Sequence, residues 1–221
     1  MPAVPHLLLL QLSDSAFPTG GFAHSGGLEA AWQCGEVRDE PALRAFVRDA
    51  LWQAGRGVLP LASATHDDPA RLPELDARCH AFLTSVVSRR ASTVQGRAFL
   101  ATCVRTWPGT MMRAVETAAR PLTGHYAPIA GAVLRTLDVP LGEAQQLLLY
   151  IAARGMLSAA VRLGIIGPYA AQRLQFDSHP DIEAVQARCA LLRERDLAQT
   201  APIADLLQAG HDRLYSRLFQ S

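Results

Sequence analysis

Apolar residues recur along most of the chain at the spacing of a helix that buries one face. Between residues 39 and 55 they fall three and four positions apart, at Leu43, Phe46, Val47, Ala50, Leu51 and Ala54. Asp39, Glu40 and Pro41 are residue types favoured in a first helical turn, and Gly55 suits a helix end. The pattern predicts an amphipathic helix here.

The same spacing predicts further helices. One contains Leu75, Cys79, Phe82, Leu83, Val86 and Val87. Others cover roughly residues 110–120, 128–137, 141–163, 181–195 and 203–219. The proline-containing segment 60–73 and the neighbourhood of residues 107–109 are predicted to be connections.

Strand signals are nearly absent, since no run alternates β-branched and polar residues and no Asn-Gly or Asp-Gly hairpin turn occurs. The sequence predicts an all-α fold, a single domain over residues 1–221 with roughly eight to ten helices around a central apolar helix. Residues 141–171 are apolar on most sides, which places that central helix at 141–163. The tail, about 196–221, is expected to be mobile without a partner.

A polar ridge interrupts this apolar segment. Arg154, Ser158 and Arg162 are four residues apart and share one side of a helix. Their guanidinium groups could pair with carboxylates or helix C-termini inside the domain, or lie at a partner interface, where arginine is enriched. The nearby Gly155, Gly164 and Gly167 are expected to let neighbouring backbones come close.

Composition narrows the possible functions. A hydrophobic fraction of 49% and a charged fraction of 19% are typical of a folded domain. The net charge of +1 does not favour binding to nucleic acid or to an acidic membrane. All 21 basic residues are arginine. Without lysine, the chain has no Schiff-base lysine and no lysine for a phosphate-binding P-loop, so any nucleotide hydrolysis is expected on another protein.

The cysteines and the apolar runs favour a cytoplasmic protein. Cys34, Cys79, Cys103 and Cys189 form no C-x-x-C pair, so free thiols in a reducing compartment are expected. No secretory leader is evident. The longest apolar stretch is interrupted by two arginines, which argues against a membrane span.

The glycine-rich segment 13–27 invites catalytic interpretations that its spacing does not support. It has no P-loop, no G-x-G-x-x-G fingerprint and no G-x-S-x-G elbow. It is predicted to be a tight connection between two helices, with Ser25 as the N-cap of the second. The residues assigned to this structural loop are Pro18, Gly20, Gly21, Ser25 and Gly27.

No metal site is assigned. The seven histidines contain no H-x-x-x-H spacing, and the adjacent Cys79 and His80 would diverge by about 100° on a helix. Each histidine is therefore expected to be structural.

Four stretches resemble one protein family. Residues 8–31, L-L-L-Q-L-S-D-S-A-F-P-T-G-G-F-A-H-S-G-G-L-E-A-A, are similar to the N-terminal signature of the UreF proteins. Residues 89–100 resemble the family's R-E-A-S-x-x-Q-G-R-[AS]-[FL]-L, and residues 124–127 with 158–167 resemble its third block. Residues 211–219 resemble its H-[ED]-x-L-[YF]-x-R-L-F ending. Two residues depart from these family patterns. Arg90 stands where glutamate is usual, and Asp212 stands where glutamate is common.

The resemblance implies an all-α, often dimeric adaptor without catalytic chemistry of its own. Such proteins bridge the accessory protein UreD, also called UreH, and the GTPase UreG, and present both to urease apoprotein. It implies no tightly bound cofactor, since the complex handles nickel and UreG handles GTP. It also implies control over when UreG hydrolyses GTP.

The resemblance also assigns interface residues. Glu29 and Arg162 correspond to positions of the UreG-facing surface, where they could dock UreG; action of Arg162 on the nucleotide phosphate is less favoured. The UreD/UreH-facing residues would be His211, Tyr215, Arg217, Leu218 and Phe219.

Two alternatives remain open at this point. One is a hydrolase using Ser25, His24 and a carboxylate such as Asp14. The other is a helical ligand-binding module with an apolar pocket beside residues 141–171.

Overall fold

The computed structural model describes residues 6–220, and this part of the chain is entirely helical apart from its connections. It contains no strand, which confirms the all-α prediction. Three single-turn 3₁₀ helices cover Gly21–Ala23, Pro69–Arg71 and His211–Arg213. The twelve α-helices of the described residues are α1 His6–Ser13, α2 Leu28–Gln33, α3 Glu40–Arg56, α4 Val58–Asp67, α5 Leu72–Phe82, α6 Val86–Thr106, α7 Thr110–Ala119, α8 Tyr126–Thr136, α9 Leu141–Arg162, α10 Pro168–Asp177, α11 His179–Cys189 and α12 Pro202–Ala209.

Helix α3 follows its sequence pattern closely. The Asp39 carboxylate accepts a hydrogen bond from Ala42 N at 2.9 Å and caps the first turn. Leu43, Val47 and Leu51 lie one turn apart on its buried face. The helix ends at Arg56, within one residue of the predicted end.

The most enclosed part of the fold is the crossing of α4 and α8. Residues 59–66 of α4 and 127–134 of α8 are all buried. A side chain on Gly131 would lie 2.1 Å from Ala62 O, so only glycine allows the two backbones to approach this closely. The prediction that residues 60–73 form a connection is wrong. Pro60 lies in the first turn of α4, where its missing N–H costs no helical hydrogen bond.

Helix α9 is central, as predicted. It contacts α1, α2, α3, α4, α8, α10 and α11. Two clusters of buried apolar side chains meet along it, one containing Ala153 and Leu157, and the other Ala144 and Leu147. Leu148 packs against both clusters. The helix therefore joins the two halves of the core.

The glycines near the polar ridge do not bring backbones together. A Cβ on Gly155, Gly164 or Gly167 would meet nothing within 4 Å, so that expectation is wrong. Gly164, with φ +73°, instead turns the chain after α9. The second close approach in the core is at Gly96, where a Cβ would lie 2.3 Å from Gly124 O.

Other elements also differ from the predicted ones, and the helix predicted over 181–195 ends at Cys189. The predicted helix around residues 75–87 is two helices, because the Ser85 hydroxyl accepts hydrogen bonds from Val87 N and Ser88 N and starts α6. Helix α10 was not predicted. The predicted helix over 203–219 ends at Ala209, and the chain beyond Arg213 is irregular.

Candidate functional site

The last residues of the described chain fold back onto the glycine-rich segment, and Glu29 lies at the centre of this contact. Its side chain is buried at the start of α2. The carboxylate accepts hydrogen bonds from His211 Nε2 at 2.9 Å, Leu218 N at 2.6 Å and Phe219 N at 3.1 Å. A carboxylate with three donors is well compensated for its burial. Glu29 therefore fastens the C-terminal segment to α2.

Arg162 is the second fastening point. Its guanidinium stacks on two aromatic rings, with its central carbon 3.7 Å from the ring centroid of Phe22 and 4.2 Å from that of Phe219. It also donates a hydrogen bond to Phe22 O. A planar guanidinium stacks well on aromatic faces, and here it joins the glycine-rich segment, the end of α9 and the C-terminal segment.

A third contact involves Arg90 on α6. Its guanidinium makes a bidentate pair with the Asp212 carboxylate, at 2.7 and 3.1 Å, and donates to Gln220 O at 3.1 Å. Arg217 reaches the same carboxylate at 3.2 Å. These groups are partly exposed, so each contributes modestly to stability.

The five residues assigned to the UreD/UreH side divide into two sets. His211 and Phe219 are buried and hold the segment in place. Tyr215, Arg217 and Leu218 are exposed, and the Tyr215 side chain is essentially fully so. Exposed aromatic and aliphatic side chains on a fixed backbone are typical of a protein interface. Their role there stays a prediction.

The interface role of Glu29 and Arg162 also stays a prediction. Their different burial means that each would act on a partner in a different way. Glu29 is 1% exposed and is covered by the C-terminal segment. It can therefore act on a partner through the segment that it holds. Arg162 is half-buried and reaches the surface beside the exposed Phe22.

The glycine-rich segment connects α1 to α2, as predicted. Gly20 and Gly27 have φ values of +71° and +87°, which side chains rarely adopt. Pro18 O accepts a hydrogen bond from the Thr102 hydroxyl at 3.0 Å, and Gly21 begins a 3₁₀ turn. The N-cap prediction for Ser25 is wrong, since Gly27 directly precedes α2; the Ser25 hydroxyl nevertheless accepts from Glu29 N at 3.3 Å.

The residues of the hydrolase alternative do not form a shared site with Asp14. Ser25 and His24 are buried, and burial lowers the pKa of His24. Asp14 is exposed, and its carboxylate accepts a hydrogen bond from Ala16 N at 2.8 Å.

The polar ridge on α9 is divided between two environments. Arg162 bonds a backbone carbonyl and stacks on rings, while Ser158 is exposed. Arg154 forms no hydrogen bond or ion pair with a residue of the described range 6–220. Neither arginine pairs with a carboxylate in that range, but Arg162 bonds a carbonyl of the 3₁₀ helix Gly21–Ala23, so only the carboxylate part of the predicted internal pairing is wrong.

A second polar centre holds the start of α8. The buried Asp76 carboxylate accepts from Thr123 N, Gly124 N and His125 N at 2.7–3.3 Å. The Ser92 hydroxyl lies 3.1 Å from His125 Nδ1 and 3.2 Å from Tyr126 N. The second and third sequence blocks are thus packed together.

Neither metal-ligating side chains nor thiols form a further candidate site within residues 6–220. Within residues 6–220, no group of three or more His, Cys, Asp or Glu side chains is arranged to hold a metal ion. The cysteines are free thiols, and burial raises the pKa of Cys79 and of Cys103 to about 12. No helix within the same range is long and apolar enough to cross a membrane.

Comparison with known proteins identifies the family. A sequence model of the UreF family matches residues 37–179. Urease accessory protein F of Oryza sativa subsp. indica is 35% identical over 215 residues, which cover 95% of this chain and 82% of the rice protein. The chain belongs to the UreF family of urease accessory proteins. That membership gives it a role in urease maturation.

Plant and bacterial relatives are similar to it over nearly their whole length. Urease accessory protein F of Arabidopsis thaliana is 34% identical, over 96% of this chain and 90% of the Arabidopsis protein. UreF of Xanthobacter autotrophicus (strain ATCC BAA-1158 / Py2) is 33% identical, over 93% and 87% respectively.

The UreF blocks explain part of this site but not all of it. Arg90 and Asp212 both depart from the pattern named above, and the structure pairs them with each other. Sequence reasoning also missed Phe22 as a stacking partner and Asp76 as the anchor of α8. Asp76 lies in no block, and only its position on the buried side of α5 could have suggested a structural carboxylate.

Proposed function

We propose that this UreF protein is a non-catalytic adaptor that bridges UreD (UreH) and the GTPase UreG. It presents both to urease apoprotein and assists GTP-dependent nickel insertion in the cytoplasm. It binds no cofactor tightly, acts as a homodimer, and regulates the GTPase activity of UreG. Nickel is handled by the assembled complex.

One observation carries the proposal. The residues assigned to the two partner sides are in direct contact, through Glu29 with His211 and through Arg162 with Phe219. A protein bound to the exposed Tyr215 and Leu218 would touch the same segment that packs on Arg162. The arrangement supports a bridge in which the two binding surfaces share one structural element.

The composition supports the division of labour with UreG. The chain has no lysine, so it cannot supply the P-loop lysine of a GTPase. The Arg162 guanidinium stacks on two aromatic rings and one of its donors bonds a backbone carbonyl, which leaves it poorly placed to reach a nucleotide phosphate. Docking and gating of UreG is therefore the role proposed for Arg162.

The proposal is tested by co-expressing this protein with the urease structural and accessory proteins. Omission of this chain should leave urease assembled but poor in nickel, measured as metal content per purified urease. Affinity capture of this chain should recover UreD and UreG, and light scattering of the isolated protein should give the mass of two copies. Full nickel loading without the chain contradicts the adaptor role.

The variant Arg162→Ala tests the proposed docking of UreG at a single residue. It should weaken recovery of UreG while leaving helicity unchanged by circular dichroism. Arg173→Ala is the matched control, because Arg173 is a partly exposed arginine of α10 that pairs with Glu40 at 2.6 Å, and its loss should not affect recovery. Undiminished recruitment by Arg162→Ala would rule out this docking role.

A further inference from the structure

A large cavity runs between the glycine-rich segment and helices α3, α4, α9 and α10. Its volume is about 770 Å³, within the range of small-molecule sites and far above the voids of a well-packed core. Most of its wall is apolar, with Phe46, Ala50, Leu149, Ala152 and Met156 among the lining residues. This cavity has the size and the wall of a ligand site.

A buried amide group lines this cavity without a partner. The Gln175 side chain on α10 is 7% exposed, and neither its Nε2 nor its Oε1 has a hydrogen bond to a described residue. Buried amides are nearly always hydrogen-bonded, because an unpaired one keeps the full cost of its desolvation. A leucine would suit this apolar wall better unless the amide meets a bound group.

The charged lining favours an anion. Arg154 lines the cavity and has no ion pair with any residue between 6 and 220. Arg162 lines it as well. The carboxylate there is Asp205, which accepts from Gln53 Nε2 at 3.3 Å, and burial raises its pKa. The cavity therefore offers positive charge beside an apolar surface.

We propose that this cavity binds a small amphipathic carboxylate that carries an amide or similar hydrogen-bonding group within its apolar body. The carboxylate pairs with the Arg154 guanidinium, which has no counter-ion in the described chain. The polar group of the ligand body exchanges hydrogen bonds with the Gln175 amide, and its hydrocarbon part lies against the apolar wall. This binding is separate from the adaptor role and does not depend on it.

The test is calorimetric titration of the full chain with N-dodecanoylglycine below its micellar concentration. Dodecanoate has the carboxylate without the amide, and dodecylammonium has the chain with the opposite charge. We expect saturable one-site binding of N-dodecanoylglycine, about tenfold weaker binding of dodecanoate, and no measurable binding of dodecylammonium.

Two variants assign the contacts. Arg154→Gln should weaken both carboxylates at least about tenfold. Gln175→Leu should weaken N-dodecanoylglycine to the affinity of dodecanoate and leave dodecanoate unchanged. Without ligand, Gln175→Leu should also unfold at the same or a higher temperature, because it removes an unsatisfied amide. Arg173→Gln, on the same helix but outside the cavity lining, is the control and should bind as the unchanged protein does.

Several results would overturn the proposal. Equal binding of dodecylammonium would indicate nonspecific detergent uptake. Unchanged carboxylate binding in both variants would show that Arg154 and Gln175 do not contact the ligand. A lower unfolding temperature for Gln175→Leu without ligand would show that the amide is satisfied in the empty protein. Binding that occurs only as the protein dissociates into single copies would assign the cavity to a contact between copies and equally refute a ligand site.

Discussion

Arg90 and Asp212 are 122 residues apart in the chain, yet they form a bidentate ion pair that closes the C-terminal segment over α6. The pair joins the two positions at which this UreF sequence departs from its family's motifs. The departures are therefore one local arrangement rather than two separate changes.

This pairing predicts a charge-swap rescue. Arg90→Glu, which introduces the glutamate usual in the family, places like charges together and should destabilise the closed segment by less than about 1 kcal/mol, because both groups are partly exposed. Asp212→Arg should act similarly, and the double variant Arg90→Glu/Asp212→Arg should restore closure. Hydrogen exchange of amides 211–220 measures the effect; independence of the two substitutions would contradict the pairing.

Loss of the Glu29 carboxylate is expected to destabilise the protein much more than loss of the Arg90–Asp212 pair. Glu29→Ala leaves His211 and two backbone amides without their acceptor, so the free energy of unfolding should fall by about 3 kcal/mol. Proteolytic cleavage between residues 210 and 220 should become much faster. The control is Glu40→Ala, which removes a partly exposed carboxylate of another ion pair and should cost under about 1 kcal/mol. Equal effects of the two variants would contradict the buried anchor.

Two glycine-to-alanine substitutions are expected to change the free energy of unfolding in opposite directions. Gly131→Ala would force Cβ against Ala62 O at the crossing of α4 and α8, and should cost about 3 kcal/mol since neither backbone can move aside freely. Gly155→Ala meets nothing within 4 Å in the middle of α9, and should raise stability by about 0.5–1 kcal/mol through helix propensity. Urea unfolding of both variants measures the difference, and a stable Gly131→Ala protein would contradict the close crossing.

Stability should also depend on pH in a defined direction. Burial lowers the pKa of His24, His66 and His125 below the ordinary value of 6.5, so the unfolded chain binds protons more readily than the folded protein. The free energy of unfolding should be level above about pH 7.5 and fall towards about pH 5.5. Urea titrations across this range test it, and His66→Gln should reduce the slope. A rise in stability on acidification would contradict the assignment.

Sequence patterns predicted the helical class, the central helix α9 and the connecting role of the glycine-rich segment, because these depend on local spacing. They failed where tertiary contacts decide. Pro60 looked like a breaker but lies in the first turn of α4. The last segment looked helical, yet its amides at Leu218 and Phe219 bond Glu29, which local periodicity cannot reveal. The cavity-lining Gln175 likewise could not be distinguished from a surface glutamine.

The return of residues 211–219 to Glu29 also sets an order of events during synthesis. A ribosome releases the chain from its N-terminus onward, so Glu29 emerges nearly two hundred residues before Leu218 and Phe219, which lie 189 and 190 positions later. During that interval its carboxylate must stay hydrated, and α2 cannot bury its final surface. A chain lacking these residues would thus leave the Glu29 carboxylate and the adjoining glycine-rich segment uncovered.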